Sequence, residues 1–209
     1  MTTTRRFPVL PTLLVALAVA AMIALGLWQL LDRLPKKEAF LAQLAANPAR
    51  PPMAFPRFPD ETLLFRRASG MCMQPTAIRL AGAGKAGFRV IADCRTGAEG
   101  PGMIVQLGTT RDPKLKPQWP GGPVSGYITH APDGRSLIGS LFDHRPPAPM
   151  LVADPPLAGL APNRPPSIEA IPNNHLAYAG QWFFFAAVAA IIYVVALRRR
   201  VRAQAAGSG

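Results

Sequence analysis

Cysteine and acidic residues are what this 209-residue chain has least of. Cys72 and Cys94 are the only cysteines, too few for a disulfide-built scaffold, and no Cys-x-x-Cys pair occurs. Aspartate and glutamate total 11 against 23 lysines and arginines, so the net charge is +12. The chain also lacks a Gly-x-Ser-x-Gly elbow, a Walker phosphate loop and a His-Glu-x-x-His helix. These absences exclude the common signatures of serine hydrolases, nucleotide-binding proteins and zinc proteases. The basic residues are not interleaved with aromatics, so nucleic acid is not an expected partner. His130 and His144, with Asp133 and Asp143 nearby, are the one pair that could suggest a periplasmic hydrolase. Two histidines in loops read more simply as solvated side chains.

What the chain does have is two long apolar runs, residues 9–31 and 176–197. A helix over either would cross a hydrocarbon core of about 30 Å at about 1.5 Å per residue. The first run is too long for the apolar region of a cleaved signal, so Thr4-Arg5-Arg6-Phe7 before it reads as the flank of an uncleaved anchor. Arg5 and Arg6 precede the first run, and Arg198, Arg199, Arg200 and Arg202 follow the second. Basic flanks predict that both termini are cytoplasmic and the long loop periplasmic, in a bacterial inner membrane. All 11 acidic residues and 17 of the 23 basic ones lie in that loop, leaving it at +6. A loop of that sign suits anionic headgroups or propionates.

The predicted organisation follows: a cytoplasmic N-terminus (1–8), a first membrane helix (9–31), a connector (32–62), a β-rich periplasmic domain with a proline-rich return (63–172), a second membrane helix (173–197) and a basic cytoplasmic tail (198–209). Within the connector, residues 36–46 have the pattern of a short amphipathic helix stopped at Asn47-Pro48. Short strands are expected at 66–74, 87–94, 102–109, 124–129, 136–142 and 150–153, with a hairpin at Asp133-Gly134. The expected fold class is membrane α+β: two transmembrane helices flanking a β-rich domain, an antiparallel sheet or partly closed barrel. Cys72 and Cys94 both fall in that domain, where an oxidising compartment permits pairing without requiring it. Met71-Cys72-Met73 would also offer soft donors to Cu(I), or is simply a strand end.

Helix phase orders the membrane edges. Asn173 and Asn174 are placed to cap the second helix, which puts His175 in its first turn near the outer interface. At helical spacing Trp182, Ala186 and Tyr193 fall within about 40° of His175, and Tyr178 about 60° away. One reading is an interfacial aromatic belt. The other is a haem site, with a neutral imidazole as iron ligand and room for a ring at Ala186. In the first helix Gly26, Gln29 and Arg33 share a face, and Trp28 points away from it. Gly26 would let the helices approach closely, Gln29 would hydrogen-bond across, and Arg33 would supply charge at the outer surface. The plainer reading is a Trp belt and a snorkelling Arg.

These two edges together resemble the Surfeit-locus family of cytochrome c oxidase assembly factors. The family's opening Gly-x-Trp-Gln with a following Arg and Lys is matched by Gly26, Trp28, Gln29, Arg33 and Lys37. Its closing motif is matched by Asn173, Asn174, His175, Leu176, Tyr178, Ala179, Trp182 and Phe183. The middle departs from the family: residues 105–111 stand where members carry Arg-Gly-Trp-Val, so no functional residue is carried over there, as expected of a divergent bacterial member. The resemblance implies a non-enzymatic role in assembling an aa3-type haem-copper oxidase. It implies haem A as transient cofactor, with His175 on the iron, Trp182 and Tyr178 packed on the macrocycle and Arg33 near a propionate. Haem A synthase and oxidase subunit I become the expected partners, besides the lipid bilayer. A single histidine leaves one axial position open for exchange. The competing expectation is a membrane-tethered scaffold, or an accessory subunit, that never touches haem.

Overall fold

The computed structural model describes residues 8–97, 102–132, 143 and 146–206. They form two compact units, Met1–Ala39 with Pro172–Gly209, and Phe40–Ile171.

The helix unit pairs α1 (Val9–Trp28) with α3 (His175–Ala206). Both helices are long and apolar enough to cross a membrane. They run antiparallel, since Thr12 meets Tyr193 at one end and Gln29 meets His175 at the other. The residues of α3 turned from solvent form one stripe: Ala179 and Ala186 are buried, and His175, Trp182 and Tyr193 half-buried. Large apolar side chains elsewhere stay outside, Leu17 and Leu176 among them. That is the pattern of helices whose surroundings are themselves apolar.

Both helices run on past the apolar stretches expected to span the membrane. The first helix does not stop at residue 31. It widens into a π segment (Gln29–Arg33) and continues as α2 (Leu34–Ala46). The Leu34 N–H donates to the Gln29 carbonyl five residues back. Pro35 follows, with no N–H to give and a ring that crowds a regular turn, so a wider turn there is accommodated. Nor does the arginine cluster end the second helix, which runs on to Ala206. Arginine is a good helix former, so the charges end the apolar stretch without ending the helix.

The sheet unit holds seven strands: β1 (Met53–Ala54), β2 (Arg67–Cys72), β3 (Gln74–Gly82), β4 (Phe88–Arg95), β5 (Met103–Thr110), β6 (Gly122–His130) and β7 (Pro149–Ala153). Their order is β1-β2-β6-β7-β5-β4-β3. The expectation of an antiparallel sheet is corrected: the sheet is mixed, with β1 parallel to β2 and β5 parallel to β7, and it is not a closed barrel. The single strand expected over 66–74 is β2 plus the start of β3. The chain bends at Met73 and crosses from near one edge to the other. β3 itself escaped the strand pattern, because Pro75, Ala77, Ala81 and Gly82 read as turn chemistry. An edge strand tolerates that Pro, and a register irregularity between Pro75 and Ala77 absorbs it. The strand expected at 136–142 and the Asp133-Gly134 hairpin lie outside the described residues.

The sheet rolls far enough to bring the end of β2 beside the end of β4. There Cys72 and Cys94 form a disulfide with Cα atoms 5.3 Å apart, and the Met73 N–H donates to the Arg95 carbonyl at 2.9 Å. The open question of cysteine pairing is thereby answered, and Cys72 has no thiolate to offer copper. Val90, Val105, Leu107 and Leu151 fill the main core, while Ile91, Met150 and Val152 form a smaller one. Where β7 ends, the returning chain takes its place beside β5. The Leu157 N–H donates to the Leu107 carbonyl, and Thr109 exchanges both main-chain bonds with Ala161. Gly108 makes this possible, because a Cβ there would lie 2.5 Å from that of Leu160. The end of α2 is fixed by Leu44 against Leu64 and Phe65, and by buried Asn47, whose amide donates to the Thr62 and Leu64 carbonyls at 2.8 and 2.7 Å.

Candidate functional site

His175 and Gln29 meet at the end of the helix pair. The His175 Nδ1 lies 2.8 Å from the Gln29 Oε1. An amide oxygen only accepts, so Nδ1 carries the proton and donates. In the neutral imidazole Nε2 then keeps its lone pair. This is how a metal-ligating histidine is ordinarily prepared: one nitrogen is held by an acceptor, which fixes tautomer and ring orientation, and the other is presented to a Lewis acid. The bond is possible because Gln29 opens the π segment and His175 opens α3. Both edge motifs thus contribute to one polar contact.

Gly26 lies one turn from Gln29 and is buried. A Cβ there would stand 2.8 Å from the Phe183 ring, so Phe183 occupies the space that the glycine leaves. At the opposite end of the pair, the Thr12 hydroxyl donates to the Pro8 carbonyl at 2.7 Å and accepts from the Tyr193 hydroxyl. Tyr193 is thus a tie between helices, far along α3 from His175. Neither Phe183 nor Thr12 was singled out from sequence. Phe183 stood within the closing motif, and Thr12 is a lone hydroxyl in an apolar run.

The other expected site residues divide. Tyr178 is exposed and Trp182 half-buried, one turn and two turns beyond His175. Asn173 and Asn174 are exposed, and Asn174 serves the helix through its main-chain carbonyl, which accepts from the Tyr178 N–H at 3.0 Å. Arg33 does not share the face of Gly26 and Gln29. Its guanidinium lies 5.4 Å from the centre of the Trp28 ring. The π turn is the reason: it brings residues five apart onto one face, where a regular helix would separate them. Trp28 and Arg33 are both exposed and make a cation–π pair. Ala186 is buried, 4% exposed.

In the sheet unit His130 Nε2 lies 2.9 Å from Glu61 Oε1, an exposed pair. His144 and Asp133 lie outside the described residues. Among the described residues no three His, Cys, Asp or Glu side chains are grouped to hold a metal ion. The buried polar groups of this unit bind its own returning chain. Gln106 donates to Asn163 at 2.7 Å, and Thr109 to the Pro162 carbonyl at 3.1 Å. Sequence reasoning missed Asn163. The available signal was Gln106 and Thr109 interrupting a strongly apolar strand.

Fold and edge contacts together define a chain with two apolar helices around a mixed β-sheet domain, its marked polar contact at the helix edge. It belongs to the SURF1 family, whose family model matches residues 16–187, through the sheet domain as well as both edges. The family is known for assembly of cytochrome c oxidase. No curated protein and no solved structure matches the chain.

Proposed function

We propose that this chain is a non-catalytic assembly factor of an aa3-type oxidase. Its two apolar helices anchor it in a bacterial inner membrane, both termini in the cytoplasm and the sheet unit in the periplasm. It receives haem A from haem A synthase and presents it to oxidase subunit I. The observation that carries this reading is the Gln29–His175 hydrogen bond, which occupies Nδ1 and leaves Nε2 without a partner in the contact. The donor set fits: a lone oriented imidazole nitrogen would serve as a ligand to haem iron. When bound, haem A supplies an iron centre that takes a nitrogen ligand. Gln29 keeps the ring in one tautomer and one orientation. Tyr178 and Trp182 offer aromatic surface on the same helix, and Arg33 offers a cation to a propionate.

The same hydrogen bond also favours a second reading. In an apolar medium an interhelical polar contact contributes about 0.6–2 kcal/mol to helix association. Gln29 and His175 would then be a clasp within a haem-free scaffold. Absorption spectra of protein made beside a haem A synthase separate the two. Under the haem reading His175→Ala loses the spectrum and stays in the membrane fraction, while Gln29→Leu retains a weakened signal. A His175→Ala protein carrying stoichiometric haem with an unaltered spectrum would sink the haem reading.

A further inference from the structure

We propose that the sheet unit carries a phosphate-binding site, in a groove of about 330 Å³ between the proline-rich return and strands β4 to β7. Its polar lining comes from Arg89, Arg164, Gln106, Thr109, Thr129 and Ser167, and among the described residues no acidic one lines it. Asp32, Asp154, Asp93 and Glu61 lie elsewhere, against Lys36, Arg67, Arg79 and His130. Arg89 donates Nε–H to the Gly82 carbonyl at 3.0 Å, which fixes its position and leaves both terminal nitrogens to face a ligand. Arg164 has no hydrogen-bond or ion-pair partner among the described residues. The half-buried Thr129 hydroxyl likewise has none.

The groove is built before any ligand arrives. Residues 161–163, next to Arg164, are tied to β5 by the Thr109 and Gln106 bonds, and Asn163 also donates to the Ala153 carbonyl at 2.9 Å. Arg164 therefore stands on a braced segment, and little ordering cost is left for binding. Two cations lining one small groove repel each other, and a bound anion removes that penalty. Charge and donor number select the anion. A carboxylate carries one charge and two oxygens. A phosphate monoester carries about −1.5 to −2 and three strong acceptor oxygens. Two guanidinium forks and a hydroxyl match the phosphate and over-supply the carboxylate. The phosphate could be a soluble ion or ester, or the headgroup of phosphatidic acid. The site lies wholly within the sheet unit and does not rest on the haem reading.

The test is calorimetric titration of the full detergent-solubilised chain with inorganic phosphate, with acetate as control. Saturable phosphate binding is expected, with acetate at least about tenfold weaker, and about a tenfold loss in Arg164→Gln. Thr129→Val should weaken binding less. Among the described residues Arg164 has no hydrogen-bond or ion-pair partner, so its replacement removes no bond that holds the fold. Repeating the titration in phosphatidylcholine nanodiscs, with and without phosphatidic acid, identifies the source. Suppression of phosphate binding by phosphatidic acid assigns the headgroup, and undiminished binding assigns soluble phosphate. Absence of saturable binding, equal affinity in Arg164→Gln, or acetate binding as tightly as phosphate would each overturn the proposal.

Discussion

Where the helix unit buries residues, they are small. Gly26, Ala179 and Ala186 lie between α1 and α3, and the large apolar side chains face outward. In the sheet unit the fully buried residues include Val90, Ile91, Val105, Leu107 and Leu151. The two units thus bury different kinds of side chain. Expulsion of apolar surface from water drives the sheet unit, at about 25 cal/mol per Å² buried. Under the proposed membrane anchoring the two helices would gain little that way. They would rely on close backbone approach and on hydrogen bonds that have no competing water. The polar contacts fall accordingly. The helix pair carries His175–Gln29 at one end and Tyr193–Thr12 at the other. The sheet unit uses Gln106, Thr109 and Asn163 inside, to bind its returning segment.

The comparison is most open to breakage at the disulfide. Cys72 and Cys94 are 22 residues apart in sequence, and a closed loop of that length restricts the unfolded chain by about 3 kcal/mol. Cys72→Ser with Cys94→Ser should lower the stability of the sheet unit by about that amount, read from its denaturant midpoint. The helix contacts should be unaffected. A matching loss of helix-pair crosslinking would mean that the two units are not energetically separate.

Next in size is Gly26→Leu. The new side chain needs the space of the Phe183 ring, and overpacking of this kind costs about 1–3 kcal/mol. Cysteines introduced at positions 12 and 193, now in hydrogen-bond contact, should crosslink less readily in this variant, while the sheet unit keeps its midpoint. Undiminished crosslinking would show that the pair does not depend on close approach at Gly26.

Legibility in the sequence divided along the same line. Helix periodicity is local, so the two apolar helices, Gly26 as a contact point and a Gln29 bond to the opposite helix could be read from spacing alone. That the partner is His175 could not, because it depends on how the helices align. The phase failed after Leu31, where the π turn before Pro35 moved Arg33 onto Trp28. In the sheet unit β4 to β7 stood out as apolar runs, whereas β3, rich in Ala and Gly, did not. Strand order and the parallel pairing of β5 with β7 are long-range facts that no window of sequence contains. The disulfide belongs with them, since the rolling of the sheet brings Cys72 to Cys94. The edge motifs reached the family because they join distant segments at one contact.

The smallest expected effect is the most local. The Asp60 carboxylate accepts from the Thr62 hydroxyl at 2.7 Å and from the Thr62 N–H at 2.9 Å. These bonds favour the ionised form and hold Asp60 below the usual carboxylate range, the hydroxyl contributing more than the N–H and slight burial opposing both. A depressed folded-state pKa gives stability that is fully present above the unfolded-state value and is lost as pH falls through the folded value. Thr62→Val removes the hydroxyl and keeps the N–H. The Asp60 pKa should therefore rise part of the way toward the ordinary range, measured as the carboxyl carbon shift against pH. The stability that Asp60 contributes at neutral pH should fall accordingly, and the two proteins should differ least below the folded-state pKa, where the contribution is lost in both. This turn, Glu61–Leu63, also supplies carbonyls to Asn47, whose two bonds hold the end of α2. If the turn depends on the Asp60 cap, the Asn47 amide signals should broaden over the same pH interval in Thr62→Val. An Asp60 titration identical in both proteins would assign the depression to the N–H alone and leave the hydroxyl without a role.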